Sequence, residues 1–160
     1  MSKKVIAVLF GGVSSEHDIS LISASSVLRN IPADQYDVIR IGITRDGRWV
    51  FYNGSIDGIS DTRWEEDDSL PTAVLSPDRA HHGLLKIDSD GSASVIRVDC
   101  VFPILHGKNG EDGTIQGLLE LAGIPFVGCD MLASAVCMDK EMTHTVLDHA
   151  GIRNARWLSF

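Results

Sequence analysis

Residues 5–10, Val-Ile-Ala-Val-Leu-Phe, form an unbroken apolar run that Gly11-Gly12 stops. A strand with one wet face alternates apolar and polar residues, whereas a continuous β-branched run suits a strand covered on both faces. That requirement points to a layered α/β sheet more than to any other architecture. Downstream, Leu21, Ala24, Val27, Leu28 and Ile31 recur at helical spacing until Pro32, which cannot continue a helix. Residues 36–44 (YDVIRIGIT) then read as a second strand. Strand, glycine turn, helix and strand make a βαβ unit, with a right-handed crossover expected.

Asp46-Gly47, between IGIT and RWVFY, predicts a type I′ hairpin. Residues 53–80 are polar, carry Gly54, Gly58, Pro71 and Pro77, and include the acidic run Glu65-Glu66-Asp67-Asp68. They read as a surface excursion with a solvated acidic face. A second hairpin is expected from 84–87 and 94–98 around Ser89-Asp90-Gly91, followed by a strand at 101–105 whose ladder Pro103 should interrupt. Ile115, Leu118, Leu119 and Ala122 predict a helix from Thr114, with Asp112 as its cap and Gly123 as its stop. A short strand at 124–127 and a helix at 131–138 follow, then a helix capped by Asp139 that runs to Ala150 and ends at Gly151. Trp157-Leu158-Ser159-Phe160 begins an apolar segment with no return, as expected of a chain that continues.

A length of 160 residues suffices for one domain with a proper core. The formal charge of −8 and pI near 5.1 argue against nucleic acid, which needs a basic face. No apolar run approaches a membrane span, and the segment after Lys3-Lys4 is too short for a signal-peptide core. A cytoplasmic protein without membrane partners is therefore expected. Cys100, Cys129 and Cys137 form no CxxC and stand in apolar contexts, which predicts reduced, buried, structural thiols.

Two stretches could carry chemistry. Gly11-Gly12-Val13-Ser14-Ser15-Glu16 follows the first strand, where open α/β sheets bind ligands. Its spacing is neither G-x-G-x-x-G nor G-x-S-x-G, so neither a dinucleotide fingerprint nor a serine nucleophile is indicated. Glu16 could simply sit on the positive end of the helix macrodipole; alternatively, its carboxylate could hold a substrate ammonium. The second stretch is Leu105-His106-Gly107-Lys108-Asn109-Gly110-Glu111-Asp112-Gly113, at the end of another strand. Its glycines suggest a phosphate cradle, but they match no P-loop, and Lys108 lacks the following Ser/Thr. His106 should share a sheet edge with Glu16. His81, His82, His144 and His149 read as solvated, and nothing indicates a metal site.

GGVSSEHDISLISA, FPILHGKNGEDGTIQGLLELAGIPFVGC and ASAVCMDKEMTH, in that order, closely resemble the bacterial D-alanine–D-alanine ligases. The likeness runs from about residue 4 to the end, apart from 53–80, and is nearest the longer branch that includes vancomycin-resistance D-alanine–D-serine enzymes. The resemblance implies a Rossmann-like, pre-ATP-grasp domain over residues 1–138, with a parallel sheet flanked by helices plus β-hairpin additions. Residues 139–160 would open a central ATP-grasp domain. It further implies an ATP- and Mg2+-dependent ligase of peptidoglycan synthesis that phosphorylates one D-alanine, which the amine of a second substrate then attacks. Glu16 matches the glutamate on the first D-alanine's ammonium, and His106 the histidine near its reacting carboxyl. Gly11 and Gly12 border that substrate, Ile19 packs against its methyl, and Lys140 reaches ATP phosphates. The magnesium carboxylates and most nucleotide ligands would lie beyond Phe160, and the full-length enzyme would be a homodimer. A fragment alone would be inactive. A free-standing, non-catalytic α/β ligand- or nucleotide-binding module is the alternative.

Overall fold

β1 (Lys4–Gly11), α1 (His17–Asn30) and β2 (Tyr36–Ile43) form the expected βαβ unit, with β1 and β2 parallel from Lys4↔Tyr36 to Gly11↔Ile43. These and all later coordinates come from a computed structural model that describes residues 2–159. Along β1, Ala7 and Leu9 face a core shared with Val101, Ile115 and Leu119, while Val8 and Phe10 face a second core with Leu21, Ala24 and Leu28. Both sides of the strand are dry, which is why its sequence does not alternate. Ile31 leaves α1 in extended geometry, as the following Pro32 demands.

The remaining strands are β3 (Trp49–Phe51), β4 (Thr72–Leu75), β5 (Gly83–Ile87), β6 (Ala93–Arg97) and β7 (Cys100–Pro103). With β1 and β2 they make one seven-stranded sheet in the order β6-β5-β4-β3-β2-β1-β7. Only β2, β1 and β7 are mutually parallel; β3 to β6 extend the sheet as an antiparallel meander. The sheet is thus mixed, with the hairpin additions making up more than half of its strands. β7 runs beside β1 as far as Leu9↔Pro103, and the ladder ends at that proline.

Three local expectations are corrected. The 44–47 turn has Gly47 N–H on Thr44 O and positive φ at Gly47 but not at Asp46, so it is not type I′. Thr44 explains this, since its hydroxyl binds both Asp46 and the Arg48 N–H and favours a wider loop. Residues 124–127 form a single bridge, Val101↔Phe126, rather than a strand. Residues 157–159 have no regular structure, and Phe160 lies outside the described residues.

The largest correction concerns 53–80. Instead of a loose excursion it holds two 3-10 turns, Asp57–Ser60 and Thr62–Glu66, and then β4. Ile59, Trp64 and Leu70 are buried in the α1-side core. Trp64 meets Phe10 and Tyr52 edge-on at 5.5 and 5.8 Å, and its Nε1–H donates to Ile59 O at 3.0 Å. Its ring lies directly on Gly42, where a Cβ would fall 2.6 Å from it. A glycine inside β2 is therefore the seat of a tryptophan.

Beyond β7 lie α2 (Thr114–Ala122), α3 (Met131–Met138) and α4 (Lys140–His149). Asp130 and Asp139 cap α3 and α4 through the N–H groups of Ala133 and Met142. Gly113, with positive φ, occupies the cap position of α2, so Asp112 works from one residue earlier by accepting the Thr114 N–H. Cys129 and Cys137 are exposed and Cys100 is half-buried, contrary to the expectation of buried thiols; burial pushes the Cys100 thiol up. The apolar neighbours of Cys129 and Cys137 are themselves on the surface, with Val127, Leu132 and Met138 exposed. Two of the histidines expected to be solvated have partners. His81 Nδ1 lies 2.7 Å from Ser76 Oγ, and His144 stacks on Trp157.

Candidate functional site

Two loops leave the carboxyl ends of β1 and β7 side by side, and α1 starts between them. Gly11 (φ +88) is obligatory, since a Cβ would stand 2.2 Å from Ile43 O. Its N–H donates to Ser20 Oγ, and the Gly12 N–H donates to Ile43 O, both at 2.8 Å. The two glycines therefore spend their donors inside the fold and present only Cα surface outward. The Ser20 hydroxyl in turn donates to Ile104 O, so one buried side chain joins the end of β1 to the end of β7.

The 105–113 loop is not a phosphate cradle. An anion site needs free N–H groups, and here four are taken. Gly107 N–H donates to Glu111 Oε2 and Asn109 N–H to Asp112 Oδ2, each at 2.8 Å. Gly110 and Glu111 both donate to Gly107 O. The loop's own carboxylates thus occupy the places an anion would take. Burial pushes the Asp112 carboxyl up, but donors from Asn109 and Thr114 outweigh it and hold the group below the ordinary carboxylate range.

What the loop presents is His106. Its Nε2 lies 3.0 Å from Ser23 Oγ on α1, and its Nδ1 lies 3.9 Å from Glu111 Oε1. Glu16 occupies the N-cap position of α1 yet makes no cap hydrogen bond with its side chain. That carboxylate reaches across to the His106 loop, where a Cβ on Gly107 would be 2.9 Å from Oε1. Among the described residues, Glu16, His106 and Glu111 offer ligand atoms that all lie within 4.8 Å of one another. The pairing of Glu16 with His106 is legible in the sequence, whereas Glu111 and Ser23 carry no signal there and are brought in only by the turn of the loop and the pitch of α1.

Glu16, Ile19 and Ser23 lie three and four residues apart on α1 and so share one face. Ile19 stands about half exposed there, at 52%, free to meet a ligand. Next to this group a cavity of about 260 Å³ is lined by Gly11, Gly12, Val13, Trp49, Leu105 and His106, among others. Lys140 does not line it; its ammonium donates to Cys137 O at 3.0 Å on the surface at the start of α4.

Two carboxylates and an imidazole converge from loops at one sheet edge, a donor set that could receive a compact cation. On an α/β sheet this edge, beyond the carboxyl ends of the parallel strands, is where small ligands are commonly bound. The family model described as "D-ala D-ala ligase N-terminus" matches residues 5–129. The chain belongs to the D-alanine–D-alanine ligase family. The D-alanine–D-alanine ligase of Caldicellulosiruptor bescii is 48% identical over 99% of this chain and 42% of its own. The vancomycin/teicoplanin A-type resistance protein VanA of Enterococcus faecium is 47% identical over 95% of this chain and 42% of its own. The crystal structure of the VanG D-Ala:D-Ser ligase from Enterococcus faecalis matches with a TM-score of 0.87 at 51% identity, covering 94% of this chain and 43% of that one. The chain thus spans about 42% of the length of the curated relatives it matches. No helix among the described residues is long and apolar enough to cross a membrane.

Proposed function

We propose that these 160 residues bind the first D-alanine in an ATP-dependent ligase that joins it to D-alanine, D-serine or D-lactate for peptidoglycan. The convergence of Glu16, His106 and Glu111 within 4.8 Å carries this reading. Acceptor-only carboxylates suit an ammonium, which has only donors to offer. Holding the first amine protonated removes its nucleophilicity and leaves the second substrate as the only attacking group. Charge-assisted bonds of this kind contribute ~1.5–3 kcal/mol each. His106 stands beside the same group, able to donate to a carboxyl on which negative charge grows. Ile19 supplies an apolar contact for the methyl, and Gly11 and Gly12 let the substrate approach the backbone.

ATP, when bound, would supply the phosphoryl group that turns the carboxyl into an acyl phosphate, a mixed anhydride whose phosphate can leave, and Lys140, exposed at the head of α4, is the residue here that would meet its phosphates. The Glu16–His106–Glu111 group does not suit Mg2+, which prefers an octahedral, all-oxygen shell. Magnesium therefore falls to the other part of the ligase. The domain boundary is placed at 138/139, where Asp139 separates α3 from α4, and the whole enzyme is read as a cytoplasmic homodimer. Membership of the ligase family argues against a free-standing binding module.

The test is a chimera in which this chain replaces the matching portion of the VanG ligase. D-Alanine-dependent phosphate release from ATP is expected from the chimera and not from the 160 residues alone. A well-folded chimera without that activity would refute the assignment.

A further inference from the structure

His17 was not a sequence candidate, yet its side chain is completely buried beside the ligand loop. Its Nδ1 donates to Gly12 O at 2.8 Å; a carbonyl can only accept, so this nitrogen carries a proton. Nε2 is buried without an aligned hydrogen-bond partner, and Glu65 Oε1 lies 3.3 Å from it. Glu65 comes from the second 3-10 turn, and its other oxygen accepts the Arg45 N–H at 2.9 Å. It is therefore drawn inward from the acidic run, with only 12% of its side chain exposed, rather than solvated as expected. Buried polar atoms are nearly always paired, so an imidazole kept here at a cost calls for a reason.

The reason lies in what Gly12 O holds. It also accepts the Ser14 N–H at 3.0 Å, and Ser14 Oγ accepts the Glu16 N–H at 3.1 Å. Orientation passes from the His17 ring to the Gly12 carbonyl, to Ser14, and so to Glu16. We propose that His17 is a positioning residue for Glu16, acting through the Gly12 carbonyl and steadied by Glu65, which makes the 53–80 segment a support of the substrate site. The inference rests on Glu16 being the ammonium ligand, but the geometry of the turn can be tested apart from that.

In the 160-residue chain, 15N spectra of the imidazole should show the His17 proton on Nδ1; a proton on Nε2 alone overturns the proposal. His17→Phe, which fills the space but cannot donate, should displace the amide resonances of residues 12–16 and leave those of α2 in place. His17→Asn, whose amide can stand where Nδ1 stood, should restore them. Glu65→Ala leaves the ring itself untouched and should move the same amides; if it does not, the steadying role fails. In the chimera, His17→Phe should raise KM for the first D-alanine roughly tenfold with KM for ATP unchanged, and His17→Asn should recover to within about threefold. Equal behaviour of the two His17 variants would reduce the ring to core packing. An inactive unmodified chimera would count against the ligase assignment alone, and the spectra would still decide the role of His17.

Discussion

Ser20→Ala tests whether the two ligand loops are held as one unit. The hydroxyl accepts the Gly11 N–H at 2.8 Å and donates to Ile104 O, linking residues 84 positions apart inside a site with no exposure. Removing it leaves a buried donor and a buried acceptor each short of a partner. At roughly 1–3 kcal/mol per unpaired group, reduced because one hydroxyl no longer needs desolvation, the net loss is about 2–4 kcal/mol. Against a total of about 5–15 kcal/mol for a natural domain, that is a clear displacement of the urea midpoint. Ser26→Ala, on the exposed face of the same helix, is the control and should change stability by less than about 0.5 kcal/mol. In the chimera, Ser20→Ala should also weaken D-alanine use, because the Glu16 and His106 loops then move independently. A Ser20→Ala loss no larger than the control would show that the hydroxyl is not the tie between β1 and β7.

His106→Ala should cut D-alanine turnover or affinity in the chimera with little change in unfolding, since the ring is partly exposed; unchanged kinetics would make 105–113 a connector only. Trp64→Ala should cost about 3–5 kcal/mol in chemical denaturation, as for other buried tryptophans; a cost under about 1 kcal/mol would restore 53–80 to the status of a loose excursion. Asp112 has a depressed folded-state pKa, so its contribution is full above its unfolded value of ~3.9 and lost as pH falls through the folded value below that. Asp112→Asn should lower stability at neutral pH and remove that part of the acid-side decline, visible in denaturation midpoints measured from pH 6 to about pH 2.5. Parallel pH curves for the two proteins would contradict this.

Much of the architecture could be read from the chain because it is written in local periodicity. The unbroken run at β1, the helical spacing of α1 and α2, and the aspartates before α3 and α4 each report burial or capping within a few residues. The shared edge of Glu16 and His106 followed from the same logic, since loops after parallel strands emerge at one end of a sheet. The misreadings have a common cause. Residues 53–80 carry their apolar anchors singly, at Ile59, Trp64 and Leu70, so no window shows a period, and their burial depends on a glycine in β2. The cysteines were read from apolar neighbours that turned out to be exposed themselves.

The βαβ start, the order of the helices, the family and the pairing of Glu16 with His106 are all written in the linear chain. How those two residues are held depends on contacts far apart in sequence. Ser23 meets His106 across 83 positions, Ser20 spans 84, and His17 reaches Glu65 on a segment that had looked like a solvated loop. Periodicity encodes which face of an element is dry, but not which distant element covers it. Partners so remote in sequence are chosen by sheet order and by the volume of the side chains between them.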